Sequence, residues 1–103
     1  MTALALLGAD LRAYRERSGR SLRQTARHVG RSPAWLSRVE TGHDTPGAGA
    51  LATLAEYLGA DRLALDHWLA LAGHVAPDIT AAMLAHPERW AAVRAMLAIG
   101  GAL

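Results

Sequence analysis

Apolar residues recur along this chain at helical spacing. Leu4, Leu7, Leu11 and Tyr14 stand 3, 4 and 3 residues apart, which puts them on one face of a helix ending near Ser18-Gly19. Ser21 is placed to cap a second helix with Leu22, Ala26 and Val29 inward, and Gly30 ends it. Ser32 is the next cap, and Pro33 takes the first helical position, where its missing N–H costs nothing. The third helix carries Trp35, Leu36 and Val39 and ends at Thr41-Gly42. After a loop over residues 43–47, a fourth helix spans about Ala48 to Leu58 with Leu51, Leu54 and Leu58 on one face. Asp61 caps a fifth helix holding Leu65, Trp68, Leu69 and Leu71, closed by Gly73.

Beyond Gly73 the pattern changes. Asp78 caps a short sixth helix with Ile79, Met83 and Leu84, and Pro87 opens a seventh with Trp90, Val93, Met96 and Leu97. No stretch alternates with period two, so the expected class is all-α. The 103 residues suit one domain with a single core. The division expected is a five-helix unit over residues 1–73 and a helical extension over 74–103.

Net charge of +2 conceals an asymmetry. Residues 1–45 carry eight Arg against four acids, while residues 46–103 carry three Arg against five acids. A basic half suggests a polyanionic partner. There is no cysteine, which removes disulfides and thiolate metal sites and fits a cytoplasmic protein. Apolar runs fall short of the ~18 residues a membrane helix needs, and Ala3–Leu7 has no basic residue before it, unlike a secretory signal. The five histidines show no H-x-x-x-H pair, so no metal or other cofactor is expected. No nucleophile–base motif marks an enzyme.

The most informative stretch is Ser21–Gly42, SLRQTARHVGRSPAWLSRVETG. Two short helices meet at a turn containing Gly30, and the small Ala26 lets them cross closely. That layout is a helix-turn-helix, whose second helix enters the DNA major groove. The chain here resembles the Cro and phage-repressor type of regulator, also called xenobiotic-response-element-like. The resemblance runs from about Leu7 to Leu69. It is carried by Leu11-Arg12, Arg15-Glu16, Ser21-Leu22-Arg23, Ala26, Gly30, Ser32-Pro33, Trp35 to Glu40, Gly42, Pro46, Leu51, Leu54-Ala55 and Leu58-Gly59. It implies a five-helix, lambda-repressor-like domain, here with about two further helices. It also implies a regulator of transcription that binds double-stranded DNA. A repressor acting on a palindromic operator as a homodimer is the expected form. Thr25, Leu22 and Arg31 depart from the family's pattern: Thr25 replaces a large aliphatic residue, Arg31 often a Val, and Leu22 often a phosphate-contacting Gln.

Roles follow from helical geometry. Pro33, Ala34, Ser37 and Arg38 lie on the face opposite Leu36 and Val39 and are the base-contact candidates. The Arg38 fork suits the O6 and N7 atoms of guanine; the competing readings are a salt bridge with Asp44 or Glu40 and a contact with phosphate alone. Arg23, Arg27, Arg31, Thr41 and His43 are phosphate candidates. Arg12, Arg15 and Glu16 read first as a solvated or intrahelical surface set. Trp35 is open to two readings, against DNA sugar or between helices. Met83, Trp90 and Leu97 are seven apart, as are Ile79, His86 and Val93. Trp90, Val93 and Leu97 are therefore expected at a homodimer interface, against the simpler reading that these helices cover their own core. The rival function is an antitoxin or adaptor holding a toxin-like partner protein through the same segment. A purely structural adaptor is disfavoured by the Arg-rich half.

Overall fold

The computed structural model describes residues 1–74. They form five helices: α1 (Ala3–Arg17), α2 (Leu22–Val29), α3 (Pro33–Glu40), α4 (Ala48–Leu58) and α5 (Arg62–Leu71). No strand occurs among the described residues. The expected sixth and seventh helices, and with them Trp90, Val93 and Leu97, lie outside the described residues.

Local chemistry accounts for the helix ends. Thr2, Ser21, Ser32 and Asp61 each accept a hydrogen bond from a backbone N–H in the first turn of the following helix. Such caps satisfy donors that have no partner within the helix. At Ser21 the Gln24 side chain also accepts from the Ser21 N–H, completing a capping box. Gly30, at φ +75°, takes the left-handed conformation that lets α2 stop and the chain turn into α3.

The core is built where the five apolar faces converge. It contains Leu7, Leu11, Ala26, Trp35, Leu36, Val39, Leu51, Leu54, Ala55, Leu58 and Trp68. Helix α1 packs on α3 and α5, α2 on α3 and α4, and α4 on α5. Trp68 is fully buried; its indole Nε1 donates to Asp10 Oδ2 at 2.7 Å, and its ring meets Tyr14 edge to face at 5.3 Å. His28 of α2 stacks on Tyr57 of α4 at 4.0 Å.

Two packing details depart from the sequence reading, and a third carries no signal in it. Leu22 and Val29 pack half-buried against the core as expected, and beside Ala26 the polar Thr25 is fully buried. Its hydroxyl donates back to the Ser21 carbonyl at 2.8 Å, so no polar group is stranded. Arg15 is not a solvated or intrahelical residue. Its Nε and Nη2 donate to both oxygens of Glu40 at 2.7 and 3.0 Å, and Nη1 donates to the Arg20 carbonyl. The hydrogen bond to Glu40 raises the Arg15 pKa, against the opposing effect of burial. Arg12 and Glu16, by contrast, do form the expected exposed pair one turn apart.

Gly8 is the third detail. It is buried where α1 crosses the end of α3, and a Cβ there would collide with the carbonyl oxygens of Val39 and Glu40. The missing side chain is what lets the two helices approach so closely.

Candidate nucleic-acid interface

Helix α3 is divided cleanly along its length. Trp35, Leu36 and Val39 are buried, whereas Pro33, Ala34, Ser37 and Arg38 are exposed on the opposite face. All four base-contact candidates therefore share one solvent-facing strip. Apolar contacts anchor the buried side, so the exposed strip is held on a rigid element.

Trp35 resolves between its two readings. It is only 4% exposed and belongs to the core, so it fills the space between helices. The Arg31 guanidinium lies over its ring, 4.6 Å from the centroid. Arg23, Arg27 and Arg31 line one open cleft with Gly30 and Pro33, at the start of α3. Three guanidiniums beside a helix N-terminus make a strongly positive edge. The three arginines were separate candidates in sequence; the turn at Gly30 brings them together.

Thr41 and His43 lie at the other end of the strip, both exposed. The Thr41 hydroxyl donates to the Ser37 carbonyl at 2.9 Å, and His43 Nδ1 is 3.0 Å from the same hydroxyl oxygen. The Thr41 hydroxyl proton and His43 Nδ1 are thus engaged locally, which leaves the exposed His43 ring its Nε2 for a phosphate. Of the two acids that compete for Arg38 in the sequence, the structure pairs it with Asp44, while Glu40 is taken by Arg15. The Arg38 Nε donates to Asp44 Oδ2 at 3.3 Å; Arg38 is exposed and Asp44 half-buried.

The loop after α3 is closed by two backbone hydrogen bonds. The Gly42 N–H bonds to the Val39 carbonyl and the His43 N–H to the Arg38 carbonyl, with Gly42 at φ +80°. This pair of bonds is a Schellman closure. Gly42 also rests on the backbone of Ala5. Further on, Pro46 is fully buried, and His74 Nε2 donates to its carbonyl at 2.8 Å. Neither Gly8 nor His74 carries a sequence signal for its partner, the end of α3 for Gly8 and the Pro46 carbonyl for His74, because both act through tertiary approach.

A family model described as a helix-turn-helix domain matches residues 6–68. The chain belongs to the helix-turn-helix family. A solved structure, the clp gene regulator ClgR from Corynebacterium glutamicum, is 30% identical to it, with a TM-score of 0.60. The match covers 90% of each chain. Among curated proteins no sequence matches. The match agrees with the Cro and phage-repressor, xenobiotic-response-element-like type read from Ser21–Gly42. Membership makes the chain a DNA-binding regulator of transcription.

Two departures from the family's pattern have a clear place in the structure: Thr25 is fully buried with its hydroxyl bonded to the Ser21 carbonyl, and Arg31 stays exposed at the turn with its guanidinium over the Trp35 ring. Among the described residues no group of three His, Asp or Glu is clustered to hold a metal ion. No helix among them is long and apolar enough to cross a membrane.

Proposed function

We propose that this regulator acts as a repressor, binding a palindromic operator as a homodimer with α3 in the major groove. The observation that carries the reading is the exposed strip of Pro33, Ala34, Ser37 and Arg38, flanked at its start by the cleft of Arg23, Arg27 and Arg31. Arg38 reads a guanine, Ser37 donates to a base or phosphate, and Pro33 and Ala34 meet a thymine methyl. The three clustered arginines hold phosphates and set the register of α3, with Thr41 and His43 at the far end of the strip. Repression asks least of the chain, because occupancy of an operator overlapping a promoter is sufficient.

One helix-turn-helix reads only a few base pairs, which favours a dimer on two half-sites about one DNA turn, roughly 34 Å, apart. Residues 74–103 are assigned as the dimerisation extension, with Trp90, Val93 and Leu97 at its interface. The test is sedimentation and DNA binding of the full chain beside a chain ending at residue 76. The full chain sediments as a dimer and binds its operator; the shortened chain is a monomer that binds weakly. A shortened chain that remains a dimer places the interface within residues 1–76. A reporter driven from a promoter overlapping the operator should fall when the regulator is expressed, and a rise would overturn the repressor reading.

A further inference from the structure

The loop that leaves α3 presents an acid beside the arginine assigned to base reading. In a face that meets phosphates, a carboxylate opposes binding unless it does something else. Asp44 is held on both sides. The chain is pinned before it by the Schellman closure and the seat of Gly42 on Ala5, and after it by buried Pro46, whose carbonyl accepts from His74. Its carboxylate is fixed as well: Oδ1 accepts from the Thr45 N–H at 3.0 Å, and Oδ2 accepts from Arg38 Nε at 3.3 Å.

The consequence for Arg38 is geometric. A guanidinium has five N–H donors in a planar fork. With Nε held by Asp44, the two terminal nitrogens remain for an end-on approach to O6 and N7 of guanine. An unheld arginine of the same length sweeps a wide arc and reaches phosphates as easily as bases. Open to water on the Arg38 side in the free protein, such a pair contributes little stability. In a groove that excludes water the same pair is screened less, so its orienting effect grows on binding.

The geometry points to Asp44 as a specificity-determining residue that positions Arg38 for end-on readout of guanine and opposes binding to random DNA. The inference rests on the reading of Arg38 as a base contact. It makes Asp44 a positioning residue: it acts through the arginine and touches no base.

The isosteric Asp44→Asn is the sharpest test, because Thr45 N–H and Arg38 Nε–H are both donors and an amide offers only one acceptor oxygen. It keeps the size of the side chain, so the fold is preserved where Asp44→Ala disturbs the loop; thermal melting verifies this for each full-length variant. Affinity is measured by fluorescence anisotropy on the site selected by the wild type, on its single-base variants and on random duplex. For Asp44→Asn, discrimination should fall roughly 3- to 10-fold at one base pair per half-site, the one that Arg38→Ala relaxes. Affinity for random duplex should rise about 2- to 5-fold, since one negative charge near the phosphates is lost. In an Arg38→Ala background the substitution should no longer alter base preference.

Unchanged preference in both Asp44 variants overturns the inference while leaving the reading of Arg38 intact. So does a loss that persists without Arg38, which would make Asp44 a direct acceptor from a cytosine amine. If Arg38→Ala itself leaves every base preference unchanged, the reading of Arg38 falls and the inference falls with it.

Discussion

Replacing Glu40 with Ala should destabilise the protein far more than its place at the end of an exposed-looking helix suggests. Glu40 accepts two hydrogen bonds from Arg15, and the two side chains are only 13% and 6% exposed. Removing one partner of a buried pair strands the other charge, at a cost of about 3–5 kcal/mol. Arg15 keeps its bond to the Arg20 carbonyl and retains some solvent, which lowers the expectation to about 2–4 kcal/mol. For a domain of this size that is roughly 10–25 °C in Tm. Urea unfolding followed by circular dichroism measures it. The double substitution Arg15→Met, Glu40→Leu removes both charges and should lie within about 1 kcal/mol of the wild type, since an apolar pair of similar volume often replaces a buried ion pair without loss. A cost below about 1 kcal/mol for Glu40→Ala, or a double variant as unstable as the single, would refute the reasoning. The pair would then be a surface bridge in energetic terms, despite its geometry.

Other substitutions test separate parts of the account. Gly8→Ala drives a Cβ into the Val39 and Glu40 carbonyls and should cost about 1–3 kcal/mol by denaturant unfolding, whereas Gly49→Ala, in open space on α4, should be neutral or stabilising by up to about 1 kcal/mol. Thr25→Val removes a hydroxyl satisfied only by its own helix and should change stability by less than about 1 kcal/mol in the same assay; a loss above about 2 kcal/mol would mean the bond to Ser21 holds the capping turn. Arg23→Ala and Arg31→Ala should each weaken binding to all sequences and reduce the slope of log affinity against log salt by about one, measured by titration at several salt concentrations. An unchanged slope removes that arginine from the phosphate contacts.

What could be read in advance was local chemistry. Ser21, Ser32-Pro33 and Asp61 announce helix starts because a cap bonds only two or three residues ahead, and Gly30 announces the turn because few other residues tolerate its φ. The exposed strip of α3 follows from the spacing of Leu36 and Val39 alone. Trp35 was ambiguous because it borders the exposed arc of α3, and only the packing of neighbouring helices decides which side covers it. Arg15 reads as a surface residue in sequence for the same reason: its partner stands 25 residues away, while Glu16 is its immediate neighbour. Gly8, Asp10 and His74 were silent, since each matters only through a helix or loop remote in sequence.

The central claim is that the exposed strip of α3 reads a two-fold symmetric DNA site. The most direct measurement is selection by the full-length chain from a pool of random duplexes, followed by the same selection with Arg38→Ala. The account predicts one enriched palindrome, with half-sites centred about one helical turn apart, and loss of a single guanine preference per half-site in the variant. No enrichment over random sequence, or an identical enriched site for both proteins, would contradict it.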